Sequence, residues 1–141
     1  MASMEPYVYQ WMHGVLSTDT TIQATFGTRI YRKLIPQTAA YNNSLVMQYM
    51  GGGVLTVTNG IRIWSDMLFL LKASGLSGNY AALRDGMNRA DTLLDRVTGS
   101  VASARIVWSQ HENEVPIQPV VENTVVYETI ATMYRVKAHA L

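Results

Sequence analysis

Three histidines supply the side chains best suited to proton transfer or metal ligation near neutral pH. They stand at His13, His111 and His139, with no ligand spacing between them. His111-Glu112-Asn113-Glu114 sets an imidazole beside two carboxylates and can offer a metal two or three donors. That run borders a polar, proline-containing stretch where solvated side chains are the ordinary outcome, so no metal is expected. A serine nucleophile held on a sharp elbow needs G-x-S-x-G spacing. Gly75-Leu76-Ser77-Gly78 and Gly99-Ser100 lack it and read as turns. Gly51-Gly52-Gly53 is glycine-rich enough for a phosphate loop, but no Lys-Ser or Lys-Thr follows it. The next segment is strand-like and offers no helix N-terminus to phosphate, so a sharp chain reversal is the better reading.

Asp85, Asp91 and Asp95 fall on the outward sides of a helical segment, where carboxylates serve solubility. A catalytic pair of acids needs a shared pocket and shifted pKa values, which spacing along a solvated helix does not supply. Arg29, Arg32 and Lys33, with Tyr31 among them, make the tight basic cluster of the chain. Such a pattern can touch phosphate or stack on a base. Three charges are a weak footprint, so a subunit contact or a solvated turn is preferred. Trp11 has the spacing of a core residue, and Trp108 is also read as core. Trp64 falls on the sheet side opposite Ile61 and Ile63, among charges, either under a loop or exposed as an interface anchor. No nucleophile, base and orienting partner assemble from these motifs. The expectation is a protein without catalytic activity or cofactor, whose candidate subunit or partner contacts are Arg29, Arg32, Lys33, Trp64, His111, Glu112 and Glu114.

The chain that must position these residues has 141 of them, enough for one domain spanning 1–141. Hydrophobic residues make up 48% and charged ones 15%, against about 25% charged in an ordinary soluble domain. So few charges favour a surface partly hidden against other copies, hence a homo-oligomer. A net charge of +1 and a pI near 8.0 create no field strong enough for generic DNA binding. The lack of cysteine excludes a disulfide scaffold, thiol catalysis and cysteine-ligated zinc, and fits assembly in a reducing cytoplasm. Met1–Glu5 shows neither the basic nor the apolar part of a secretory signal. Met67–Leu71, bounded by Asp66 and Lys72, falls far short of the roughly 20 apolar residues a bilayer requires, so no membrane partner is expected.

Steps of three and four residues put Val8, Trp11, Met12, Val15 and Leu16 on one face of a first helix, Tyr7 to Leu16. Ser17-Thr18-Asp19-Thr20 offers N-caps to a short second helix, Thr20 to Phe26, closed by Gly27. An extended piece at Ile30-Tyr31 is interrupted by Pro36. Strands follow at Ser44–Met50 and Val54–Thr58, and Asn59-Gly60 is a strong hairpin signal. The next strand runs from Ile61 to about Ala73 with a break near Ser65. Tyr80, Leu83, Met87, Ala90, Leu94 and Val97 mark a long helix capped by Ser77 or Asn79, with Asp85 and Arg89 as an i,i+4 pair and Gly86 as a weak point. Two strands remain, about Ala104–His111 and Thr124–Ala138. The segment 112–123, broken by Pro116 and Pro119, reads as a projecting loop or arm. Strands outnumber crossover helices. The fold class is therefore α+β, a mainly antiparallel sheet with the long helix and the N-terminal helices packed on one face.

The order of the residues adds a resemblance. Trp11-Met12-His13-Gly14-Val15-Leu16, then Ser17-Thr18-Asp19-Thr20-Thr21-Ile22, then Phe26-Gly27-Thr28-Arg29-Ile30-Tyr31 resembles the opening of the phage tail completion or tail terminator family. Gly-x-Arg-Ile-Tyr is the most specific of these motifs. Ile35-Pro36, the strand Leu45-Val46-Met47-Gln48-Tyr49, the strand at Ile63-Trp64-Ser65-Asp66, the long helix and two C-terminal strands extend the similarity over most of the chain. The segment 112–123 carries no family motif, and the apolar run at Met67–Leu71 is longer than the family pattern. The resemblance implies a structural virion protein at the head-proximal end of a tail, assembled in the host cytoplasm. It implies a homo-oligomer, a hexameric ring that caps the tail tube protein, stops its polymerisation and docks a head-tail connector or stopper protein. DNA would pass through the lumen without specific binding. The alternatives are another head-tail connector or tail tube component, or a small α+β binding module or enzyme.

Overall fold

Helix α1, Glu5–Ser17, starts with Pro6 in its first turn, where a missing N–H leaves no bond unmade. Val8, Trp11, Met12 and Leu16 are buried as their spacing requires, Tyr9 joins them, and Val15 is partly buried. Asp19 then caps α2, Thr20–Phe26, its Oδ1 accepting the N–H groups of Thr21 and Ile22 at 3.1 Å each. Gly27, at φ +60°, ends it, its N–H donating to Gln23 O at 2.8 Å. The computed structural model describes residues 4–33, 42–58, 61–101, 103–122 and 124–140, with the backbone alone for 53–58 and 61–64. Ile35-Pro36 and the Asn59-Gly60 turn lie outside the described residues.

Seven strands follow, β1 Ile30–Arg32, β2 Ser44–Thr58, β3 Ile61–Leu76, β4 Val97–Val101, β5 Ala104–Val115, β6 Val120–Glu122 and β7 Val125–Ala140. They form one sheet in the order β1-β2-β3-β7-β5-β4, with β6 beside β7. Only β1 and β2 are parallel among the described pairs. The class is α+β, as the element order implied.

The triple glycine does not reverse the chain. It stays inside β2, where the register shifts between Tyr49 and Gly51. Gly51 and Gly52 take φ +120° and +156°, and a Cβ on Gly52 would lie 2.2 Å from Asp66 O. Glycine here admits a bulge and a close approach of two backbones, which a local reading confuses with a turn. The expected break near Ser65 is a shift in the pairing with β2, between Val54↔Ser65 and Thr56↔Trp64, while β3 itself continues and Ser65 also pairs with Ala138.

A 3-10 turn at Ser77–Asn79 leads into α3, Tyr80–Leu94. Asn79 holds the N-cap position without a side-chain capping bond, and donates instead to Asn43 Oδ1 at 3.2 Å. Leu83, Met87, Ala90 and Leu94 are buried, whereas Tyr80 is exposed. Val97 is not helical: Arg96 at φ +57° turns the chain, and Val97 opens β4. Thr98-Gly99-Ser100 is therefore an edge strand and not a turn. Gly99 is small because a Cβ there would sit 2.2 Å from Trp11 Nε1.

Segment 112–123 is also more ordered than a loop. Glu112 and Glu114 belong to β5, which runs to Val115; residues 116–119 leave the ladder between the two prolines, and β6 rejoins β7. It is one side of a long hairpin. Because β3 pairs with β7 only as far as Leu76↔Tyr127, the tip of that hairpin reaches past the end of β3. At the opposite end, β2 and β3 continue together beyond Ser65↔Ala138. The sheet thus carries a two-stranded extension at each end.

All three helices pack on one face. Odd positions Met67, Phe69, Leu71 and Ala73 of β3 and even positions Tyr134, Val136 and Ala138 of β7 meet Met12, Leu16, Phe26, Leu83 and Leu94 in one core. The expected Asp85–Arg89 pair gives way to a tertiary one. Arg89 Nη2 donates to Asp19 Oδ2 at 2.7 Å and its Nε reaches the same carboxylate, so α3 is tied to the cap of α2.

Two predictions follow from this packing. A Cβ on Gly86 would lie 2.5 Å from Cε2 of the fully buried Phe26. Helix propensity favours alanine by about 1 kcal/mol, while overpacking a rigid core costs about 1–3 kcal/mol. Gly86→Ala should therefore lower the denaturation midpoint, and a raised midpoint would show that the Phe26 ring turns aside. The hydrogen bonds from Arg89, then those from the N–H groups of Ile22 and Thr21, hold the Asp19 carboxyl below its ordinary value of 3.8. A depressed folded value gives stability that is present above the unfolded value and lost as pH falls through the folded one. Asp19→Asn keeps a cap acceptor and loses the charge. It should be less stable than the parent at pH 7, with the gap closing below pH 3.8 in a pH series of unfolding curves.

Candidate assembly surfaces

The strand β5 alternates, and so divides the His111-Glu112-Asn113-Glu114 run between two sides of the sheet. His111 turns to the helical side, where its Nδ1 lies 2.7 Å from Asp91 Oδ1 and its backbone N–H donates to Asp95 Oδ1 at 2.8 Å. Tyr134 of β7 donates its hydroxyl to the same Asp91 oxygen at 2.8 Å, and its ring meets His111 edge-on. Asp91 and Asp95 are thus not a solvated face of α3. They are the bolts that fix α3 to the root of the arm. Burial first, then the Asp91 carboxylate, push the Tyr134 hydroxyl far above its ordinary value. It is a permanent donor and no base.

Glu112 turns to the other side of the sheet, which no described helix covers. Arg135 of β7 donates there from Nε to Glu112 Oε1 at 2.5 Å and from Nη1 to Asp66 Oδ2 of β3 at 2.9 Å. One guanidinium clamps three strands. Around it this face carries Met50, Leu68, Leu70, Ala131 and Met133, and Trp108, which proves to be an exposed surface residue and not core, its Nε1 donating to Gln110 Oε1 at 3.0 Å. Glu114, 67% exposed, lies 3.9 Å from Arg84 of α3. These residues border an open cleft of about 410 Å³ at the root of the arm, whose lining contains no serine, cysteine or histidine.

Arg29, Arg32 and Lys33 sit together at the opposite edge, around β1. Arg29 Nε donates to Asn43 O at 2.7 Å, and the Arg32 guanidinium stacks 5.1 Å from the centroid of Tyr9. Tyr9 Oη in turn accepts the N–H of Tyr49 at 2.6 Å, closing the β2 edge beyond β1. Arg32 and Lys33 are exposed, and Lys33 takes φ +69° where the chain leaves the strand. The Trp64 side chain lies outside the described residues; its backbone, in β3, pairs with Thr56 of β2. Among the described residues, no group of three His, Asp or Glu side chains is placed to hold a metal ion.

The structure therefore brings His111, Glu112 and Glu114 to one end and Arg29, Arg32 and Lys33 to one edge, and leaves the two groups apart. Sequence reasoning missed Asp91, Tyr134, Asp66 and Arg135. Their only trace in the sequence is an alternation of polar and apolar residues that does not name partners. It also missed Val120 and Val121, 56% and 67% exposed on the arm.

No protein-family model matches the chain, and no curated protein is similar to it in sequence. Among solved structures, a chain from the virion of a native gene transfer agent particle shares its fold, with a TM-score of 0.73, 12% identity and 99% of each chain aligned. Another solved chain aligns over 94% of this chain and 89% of its own at 16% identity, with a TM-score of 0.49, a likeness too loose to argue from.

The Asp91 bolt generates an ordering of stabilities. Tyr134→Phe removes a donor from a carboxylate that is 41% exposed and can recruit water, a loss of about 1 kcal/mol. Asp91→Ala strands the hydroxyl of the fully buried Tyr134 and frees His111, a loss of about 1–3 kcal/mol. Denaturant titration of both variants should rank Asp91→Ala as the more damaging; the reverse order would mean that the hydroxyl has another acceptor.

Proposed function

We propose that this chain is a structural subunit of a phage-like virion and, within it, a tail terminator: a non-enzymatic protein that closes into a ring on the head-proximal end of the tail tube, stops its growth and docks a head connector. The observation that carries the reading is the fold shared along 99% of both chains with a protein of a gene transfer agent virion. The ordered motifs from Trp11 to Tyr31 support the narrower identification, and they occupy α1, α2 and β1 in sequence.

The geometry is suited to such work. A sheet covered, among the described residues, by helices on one side only, with short edge strands and an extension at each end, leaves backbone and apolar surface for neighbours. Identical copies that meet through two different surfaces form a ring when the rotation closes and a filament when it does not. A lumen that lets DNA slide needs few free cations, because phosphate contacts supply most non-specific affinity. Arg29 is already engaged, with the Asn43 carbonyl.

Native mass spectrometry tests the reading. Six copies of the 15.7 kDa chain should appear as a closed species of roughly 94 kDa that does not grow with concentration. Open-ended tubes would identify a tube subunit instead, and a chain that stays monomeric even with tail tubes present would end the terminator reading.

A further inference from the structure

The charges of this chain are sorted by edge. From Thr20 to Ser65 it carries Arg29, Arg32, Lys33 and Arg62 and no acid; from Ile106 to Tyr134 it carries Glu112, Glu114, Glu122 and Glu128 and no lysine or arginine. The whole chain is nearly neutral, at +1, so the sorting is invisible in its net charge. The sheet order turns it into geometry. The first block holds β1 and β2 at one edge; the second holds β5 past Arg105 together with β6, and its arm end lies on the other side, beyond the reach of the edge strand β4.

Within each block some charges are spent internally. Glu112 meets Arg135, Arg29 meets the Asn43 carbonyl, Glu114 approaches Arg84 only at 3.9 Å and Arg32 lies over the Tyr9 ring. Arg32 and Lys33 on one edge, and Glu114 and Glu122 on the other, remain exposed. Apolar surface accompanies both sets. Val120 and Val121 are 56% and 67% exposed on the acidic arm, and Met50 is 46% exposed on the β2 edge that continues past β1.

We propose that the acidic, valine-bearing arm of one copy, Glu114–Glu122, docks on the basic β1–β2 edge of the next copy, with Glu114 and Glu122 set against Arg32 and Lys33. This deepens the ring reading and rests on it. An arm-to-arm or edge-to-edge dimer would set like charges together, which costs several kcal/mol. Opposite charges on different edges select a head-to-tail contact, and only such a contact propagates around a ring. The exposed valines and Met50 then leave water, while the charges set direction and register. The outer backbone of β6, and that of β2 beyond Tyr49, whose N–H Tyr9 already takes, have no strand partner among the described residues and are available to each other.

Charge reversal on the full chain tests this. Glu114→Lys with Glu122→Lys makes both edges basic; Arg32→Glu with Lys33→Glu makes both acidic. Sedimentation velocity and native mass spectrometry should show each double variant weakened in self-association by at least tenfold, about 1.4 kcal/mol. An equimolar mixture should recover the assembly as rings of alternating composition, a result misfolded chains cannot give. The parent ring should also loosen with added salt. If the parent forms rings and each variant alone does too, the contact is wrong and the ring reading stands. If both variants fold, fail alone and fail together, the pairing is wrong. A parent that never assembles, alone or on tail tubes, overturns both readings.

Discussion

The pairing of β3 with β7 is the constraint on which the rest of the structure depends. It runs without a register shift from Ser65↔Ala138 to Leu76↔Tyr127. Because side chains alternate with a period of two, that register alone puts Phe69, Leu71, Tyr134 and Val136 under the helices together. A slip by one residue would send the whole set to the open face and bring Lys72, Arg135 and Lys137 into the core. Arg135 opposes such a one-residue slip from the other side, since the slip would turn its guanidinium away from Asp66 and Glu112. The core and the clamp therefore specify the same alignment, one by burial and one by charge.

The same register fixes where the extensions emerge. β3 and β7 overlap for only part of their lengths, so the part of each that lies beyond the other finds its partner in the strand just before it in the chain, β2 for β3 and β6 for β7. Both extensions are consequently continuous with the most firmly held strands of the sheet. Asp91 and Asp95 add a second restraint by fastening β5 and β7 to α3 at the arm's root. An extension held in this way has its direction set by the core.

What was legible in the sequence was what local physics decides. The Asp19 cap, the Gly27 stop and the stripe Leu83, Met87, Ala90, Leu94 depend on residues within a few positions of one another, and the structure has them as read. Partner choice is not local. Arg89 had an acid at i−4 and took Asp19 from another helix instead, because the tertiary carboxylate is held in place by its capping bonds. Glycine misled twice for one reason. At Gly52 and Gly99 it answers a close approach by Asp66 O and the Trp11 indole, neighbours distant in sequence, and a local reading can assign it only to a turn. Of the candidate contacts, the basic group and the 111–114 run can be named from the sequence, but their separation onto opposite edges is visible only in the strand order.

That separation matters because of how association energy is lost. A flexible loop that docks must give up its conformational freedom on binding, at about 0.5–1.5 kcal/mol for each immobilised side chain rich in rotamers. The sequence of segment 112–123, broken by Pro116 and Pro119, predicts such a loop. Folded as β5 and β6 against β7, with Pro116 and Pro119 fixing φ through the break, it has surrendered most of that freedom before any partner arrives. Valine, stiff at its first side-chain torsion, has little further to lose. Exposed valines on a preorganised strand therefore convert buried area into affinity more fully than the same residues on a mobile loop, and a nearly neutral chain needs only a few sorted charges to give that affinity a direction.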